Sequence, residues 1–122
     1  MTKQYDAVVI GAGVSGLYAL HKLREAGLST RVFEAGSGVG GTWYGNRYPG
    51  ARFDSESYSY QYSFSPELID EWDWSEEFAG QPEIERYLNH VADKFDLRRD
   101  IEFDARVRSV VFDDADRVWD IH

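Results

Sequence analysis

Gly11, Gly13 and Gly16 fall in the pattern G-x-G-x-x-G, and Glu34 follows 18 residues after the last of them. Residues of these types at this spacing suit the diphosphate and sugar of an adenine dinucleotide. Gly11 permits a tight turn, Gly13 lets a pyrophosphate approach the backbone, and Gly16 lets helix and strand pack closely. A helix that begins at such a loop offers unpaired N–H groups and a partial positive charge to phosphate oxygens. Glu34 can accept hydrogen bonds from a ribose hydroxyl, and its charge repels a 2′-phosphate. The expected occupant is therefore FAD or NAD rather than NADP.

A second constellation lies between Val39 and Tyr60, where two arginines, a proline, one aspartate and six aromatics occupy a run with no helix or strand period. Trp43, Tyr44, Tyr58 and Tyr60 offer flat apolar surface of the kind that buries a flavin ring. Asp54 can accept from ring N–H groups or hold a proton near the reacting carbon. Taken singly, each aromatic also reads as ordinary core or surface, Arg47 and Arg52 as solvated charges, and Asp54 as the cap of the turn at Pro49-Gly50. Their crowding beside a nucleotide loop is what favours a role at the cofactor.

The elements that must position these residues follow from apolar patterning. Tyr5 to Ile10 reads as a strand buried on both faces. From Val14 the residues Leu17, Tyr18, Leu20, Leu23 and Ala26 keep a helical period that Gly27 ends. Thr30 to Ala35 reads as a second strand, so the unit is βαβ with parallel strands. Residues 36–65 are mostly irregular, with glycines at 36, 38, 40, 41, 45 and 50, and a loop this long in a compact domain is usually functional. A helix is predicted from Pro82 to Leu97 along Ile84, Tyr87, Leu88, Val91, Ala92 and Phe95, with Glu83 and Glu85 favourable at its N-terminus. Arg98-Arg99-Asp100 suits its end. Strands follow at Ile101–Phe103, Val107–Phe112 and Val118–Ile121, the last two forming a hairpin about Asp113–Asp116. Trp72-Asp73-Trp74 reads as a partly exposed surface element.

The 122 residues suit one domain, with 43% hydrophobic and 29% charged residues. The net charge of −9 argues against nucleic acid as a partner. That charge is unevenly spread: residues 1–53 hold six Lys/Arg against three Asp/Glu, and residues 54–122 hold seven against nineteen. The first part suits an anionic ligand that the second would repel. With no cysteine, and His21, His90 and His122 at no ligand spacing, no metal site is expected. The N-terminus carries no secretory pattern and no apolar run reaches membrane-spanning length, so the expectation is a soluble, cytoplasmic chain.

The pair Gly40-Gly41 followed by Thr42-Trp43 resembles the two-dinucleotide-binding-domain flavoproteins, where a second glycine pair helps seat FAD. The run TWYGNRYPGARFD, then ESYSYQYSF, resembles the FAD- and NADPH-dependent Baeyer–Villiger monooxygenases. The resemblance is dense from Gly11 to Tyr60 and thin after residue 66. It implies an α/β, Rossmann-like FAD-binding domain, incomplete, ending in a β-hairpin. It also implies roles. Gly11, Gly13, Ser15 and Gly16 would serve the FAD pyrophosphate, Glu34 the adenosine ribose, and Val107 the adenine through its backbone. Gly41, Thr42 and Trp43 would line the FAD, Tyr60 would flank the flavin, and Asp54 would sit beside the ring and the nicotinamide. Arg52 and Phe53 would lie where NADP comes near the flavin, Phe53 with no chemistry assigned to it.

Family members insert one oxygen atom of O₂ into a ketone using NADPH. They carry a second glycine motif for NADPH, a downstream arginine and an FxGxxxHxxxW fingerprint. After Gly50 this sequence has one glycine, Gly80, so neither glycine-bearing motif is present. The expectation for residues 1–122 is the N-terminal part of an FAD-binding domain, whose missing C-terminal portion would be needed for turnover. Two other readings stay open: a non-catalytic FAD- or NAD-binding or interaction module, and a related N- or S-oxidising flavin monooxygenase. An NAD-dependent dehydrogenase fits less well, because nothing after Glu34 resembles a hydride-transfer substrate site.

Overall fold

A computed structural model describes residues 2–122. It opens with strand β1 (Ala7–Ile10), helix α1 (Val14–Glu25) and strand β2 (Thr30–Phe33). β1 and β2 pair in parallel, Ala7 opposite Thr30 and Ile10 opposite Phe33, so the expected βαβ unit is present. Gly27, at φ 77°, takes the left-handed conformation that closes a helix C-terminus at little steric cost. Leu17 and Leu20 turn into the core, and Arg24 crosses to bond Asp100 and the carbonyls of Phe95 and Asp96.

The stretch after β2 contains two short helices, α2 (Thr42–Gly45) and α3 (Ser57–Tyr60), followed by α4 (Pro66–Glu71). α4 was legible in principle: Ser65 caps it through the Leu68 amide at 3.2 Å, and Pro66 occupies the first turn. Helix α5 (Gln81–Lys94) buries Ile84, Tyr87, Leu88, Val91 and Ala92. It stops three residues short of the predicted Leu97. Asp96 enters the left-handed region at φ 50°, and the Leu97 amide bonds back to the Ala92 carbonyl at 2.8 Å. Arg98–Asp100 then form a single 3₁₀ turn.

Strand β3 (Ile101–Glu102) pairs in parallel with β2, giving the sheet order β1-β2-β3. Among the described residues β1 pairs only with β2. Its residues are only half-covered and Ile10 is 60% exposed, so the expected burial on both faces does not hold. Strands β4 (Val110–Asp113) and β5 (Val118–Ile121) make the antiparallel hairpin. Val107 was expected inside the first of these strands, but it lies in the irregular stretch before β4. One core joins the α1, α5 and sheet residues with Val39, Trp43, Phe53 and Tyr62, and no core residue lies beyond Ile101. Trp72 and Trp74 are half-buried and pack edge-on or tilted against Tyr87, so they are core margin as much as surface. Among the described residues no helix is long and apolar enough to cross a membrane, and no group of three His, Cys, Asp or Glu could hold a metal ion.

Candidate functional site

The turn after β1 is held by the Gly11 amide, which donates to the Phe33 carbonyl at 2.8 Å. Gly11 has φ 101°, the left-handed region that glycine enters without penalty. Gly16 is required by space: a Cβ there would lie 1.9 Å from the Gly11 carbonyl oxygen. Both observations match the jobs the motif assigns to them. Gly13 begins α1 with no side-chain cap, and the first turn of that helix carries no acidic residue. Its amides are thus free of internal competition for an anion. Ser15 is exposed at the same end of the helix.

Spacing did not reveal what Gly13 faces. A Cβ on Gly13 would lie 3.3 Å from the Gly41 Cα, and one on Gly41 would lie 2.9 Å from the Gly13 Cα. The two glycine runs touch backbone to backbone, and the Gly40 amide donates to the Ala12 carbonyl at 3.0 Å. The second glycine pair is therefore part of the first loop's floor.

Glu34 stands just beyond β2, half-buried. One carboxylate oxygen accepts from the Ala12 amide at 2.7 Å and the other from the Gly36 amide at 2.7 Å. Each oxygen keeps a further lone pair, so a ribose hydroxyl can still donate to it. The segment after β3 runs alongside: Ala105 donates to the Glu34 carbonyl and Asp104 to that of Gly36. Half-buried Val107 follows two residues later.

The aromatic residues form a second cluster. Buried Trp43 donates from Nε1 to the Tyr60 hydroxyl at 3.1 Å. Phe53, buried, lies edge-on to Trp43 at 5.2 Å between ring centres and tilted against Tyr60 at 4.0 Å. The position to which the sequence assigned no chemistry is thus the centre of this cluster. Tyr60 is 37% exposed and Thr42 opens α2 at the surface, so both face outward from it. Gln81 fixes Trp43 from behind by donating to its carbonyl. Asp54 follows Phe53 with an exposed side chain, and among the described residues no hydrogen bond or ion pair engages it.

Arg52 points elsewhere. Its Nη1 binds Glu76 at 3.0 Å and the Phe78 carbonyl at 2.8 Å, and its backbone bridges to Gly80. Arg47 is likewise paired, with Glu85 at 2.7 Å. Tyr62, one of the run of tyrosines, belongs to the core: its hydroxyl donates to the Val14 carbonyl and its amide to the Tyr87 hydroxyl. Burial, reinforced by Tyr87 and Tyr60, raises the Tyr62 hydroxyl well above its ordinary range. Burial also pushes Tyr87 up to about 12. These phenols are structural groups rather than acids of the site.

Residues 9–72, more than half of the chain, match the model of the NAD(P)-binding Rossmann-like domain. The chain belongs to that family. This Rossmann-like domain is 59% identical over 118 residues to an acetone monooxygenase (methyl acetate-forming) of Gordonia sp. (strain TY-5), covering 97% of the chain and 22% of the relative. It is 51% identical to a Baeyer–Villiger monooxygenase of Pseudooceanicola batsensis, with 96% and 22% covered. A phenazine N-monooxygenase of Lysobacter antibioticus is 50% identical, with 94% and 21% covered. Among solved structures, the OTEMO complex with FAD and NADP superimposes with a TM-score of 0.93 at 48% identity, covering all of this domain and 23% of that chain. The domain thus spans about a fifth of the length of the relatives it matches. The resemblance to Baeyer–Villiger monooxygenases extends over nearly the whole domain, including the part after residue 66 where the motifs are thin.

Proposed function

We propose that this chain is the FAD-binding portion of a flavin-dependent monooxygenase that inserts one oxygen atom of O₂ into a ketone at the expense of NADPH. The observation that carries the reading is the contact of Gly13 with Gly41. It places the uncapped start of α1, the Glu34 carboxylate and the Trp43–Tyr60 pair on one continuous backbone support. A long ligand with a diphosphate in its middle and a flat ring at one end suits that sequence of groups.

The residues present fit FAD. The first-turn amides of α1 meet the diphosphate, with Ser15 able to add a hydroxyl donor. Glu34, already aimed by two amides, accepts from the adenosine ribose. Under this reading the backbone at Val107, two residues after Ala105, meets the adenine. Trp43 and Tyr60, braced by Phe53, bound the flat ring, and the Trp43–Tyr60 hydrogen bond keeps both rotamers fixed. Asp54 places a carboxylate at the margin of that surface, where it can accept or hold a proton. FAD, when bound, supplies the two-electron and oxygen chemistry. Arg52 is committed to Glu76, so a role toward NADP requires it to exchange that partner.

Under this reading the second glycine motif for NADPH and most of the ketone pocket lie outside these residues, and the chain alone is proposed not to turn over. Two measurements test the reading. The purified chain mixed with FAD should retain a yellow chromophore through gel filtration, and Glu34→Ala should lose it. NADPH oxidation with FAD and a cyclic ketone should show no ketone-dependent turnover, and sustained turnover would overturn that part of the proposal.

One observation favours a second reading, oxygen transfer to nitrogen. Identity to the phenazine N-monooxygenase, 50%, is within one percentage point of that to the Baeyer–Villiger monooxygenase of Pseudooceanicola batsensis, 51%. The two readings share the FAD site and differ in residues beyond it.

A further inference from the structure

The glycines at 36, 38 and 40 alternate along the loop after β2, and all three face Tyr44. A Cβ on Gly36 would lie 2.9 Å from Tyr44 Cε1, and one on Gly38 would lie 2.8 Å from Cε2, on the opposite edge of the same ring. A Cβ on Gly40 would lie 3.1 Å from the Tyr44 amide nitrogen. Of the three, only Gly40 has a left-handed φ, 131°. At 36 and 38 the backbone is one that other residues adopt, so it is the Tyr44 ring that excludes a side chain there, joined at 36 by a Glu34 carboxylate oxygen 3.2 Å away.

The ring itself is anchored. The Arg47 guanidinium sits 5.0 Å from the ring centre, and Arg47 Nε donates to the Tyr44 carbonyl at 2.8 Å. Arg47 is held in turn by Glu85 of α5, which also accepts from Gln81 at 2.8 Å. The loop wrapped around this ring carries two groups of the candidate site. One is the Gly36 amide that fixes a Glu34 oxygen, and the other is Gly41 where it meets Gly13.

We infer that Tyr44 is the positioning residue of the adenosine end: clasped between Gly36 and Gly38 and tied to α5 through Arg47, it sets the loop that orients Glu34 and seats Gly41. The inference rests on the adenine-dinucleotide reading for its consequence in binding, but not for its structural content. Tyr44 acts through the loop, by holding donors in place before a ligand arrives, and such preorganisation appears in affinity.

The test compares four forms of the 122-residue chain with wild type: Tyr44→Phe, Tyr44→Ala, Gly38→Ala and the double variant. Titration with FAD and with ADP reports binding, and amide hydrogen exchange at Gly36 and Ala12 reports the loop without ligand. Tyr44→Phe keeps the ring and should bind both ligands as wild type does. Tyr44→Ala and Gly38→Ala should each weaken FAD and ADP by about tenfold. They should speed exchange at Gly36 and Ala12 while leaving Leu88 in α5 protected. In the Tyr44→Ala background, Gly38→Ala should cost nothing further, because the atom it strikes is gone. Equal cost of Gly38→Ala in both backgrounds overturns the inference, as does unchanged exchange at Gly36 in Tyr44→Ala. A wild-type chain that binds neither FAD nor ADP refutes the dinucleotide reading instead, and the exchange data then decide the role of Tyr44 alone.

Discussion

At the proposed adenosine end of the candidate site the decisive contacts involve the backbone: Gly16 under the Gly11 carbonyl, Gly13 against Gly41, and two backbone amides on the Glu34 carboxylate. At the other end they are between aromatic side chains, Trp43, Phe53 and Tyr60, stacked edge-on or tilted over short helices. The first kind of contact tolerates no added atom, because a carbonyl or a Cα cannot swing aside. The second kind is made by rings that can shift at modest cost, since aromatic pairs add only about 0.5–1.5 kcal/mol beyond their burial. A nucleotide diphosphate is the same in every ligand of its class and suits a rigid cradle. A ring system and its reaction partner ask for surfaces that can be retuned.

The largest effect expected from this contrast is at Gly16. Gly16→Ala drives a methyl group to 1.9 Å from a backbone oxygen and should cost at least ~3 kcal/mol in denaturant unfolding, with loss of FAD binding. Gly45→Ala is the control: nothing lies within 4 Å of its added Cβ, and the change should be neutral or stabilising by up to about 1 kcal/mol. A Gly16→Ala chain as stable as wild type would remove the argument for a rigid cradle.

At the aromatic end, Trp43→Phe keeps a ring but loses the bond to the Tyr60 hydroxyl. The expected loss is about 1 kcal/mol, read as a roughly fivefold weaker FAD affinity with ADP affinity unchanged. Equal weakening of both ligands would mean that the two ends do not act separately.

The buried tyrosines set a pH dependence. Tyr62 and Tyr87 have hydroxyls raised from an ordinary value of 10.0, Tyr87 to about 12, so the folded state keeps protons that the unfolded chain has already released. Stability should be full below pH 10 and fall as pH rises from there through 12. Tyr62→Phe should make that fall shallower in urea unfolding followed across alkaline pH.

The smallest effect is expected on the hairpin. Trp119 is 61% exposed and touches Phe112 across the strands, outside the core. Trp119→Ser should change the melting free energy by less than ~0.5 kcal/mol despite removing the largest side chain in that element.

Much of the site was legible because its parts are local. The strand, the glycine turn, the helix after it and the carboxylate ending the next strand occupy adjacent positions, so spacing alone reports them. The role of Phe53 was not legible, since a buried ring and a ligand-facing ring look alike in sequence. The engagement of Arg52 with Glu76 was also hidden, because a surface arginine carries no mark of its partner. The strand holding Val107 was drawn too early: alternation continues into the irregular segment, whereas backbone pairing across the hairpin begins at Arg108 and Ser109, which bond His122, and the ladder with β5 at Val110.

Composition and spacing by themselves determined the α/β class, the parallel βαβ unit, the α5 stripe and the glycine loop with its acidic partner. Each of these follows from steric preference and burial within a few turns of chain. Tertiary structure alone decided that Gly41 closes on Gly13, and that Gly36 and Gly38 close on the Tyr44 ring. Those facts depend on atoms brought together by the packing of α2 and α5, and no local pattern records which surface will meet which.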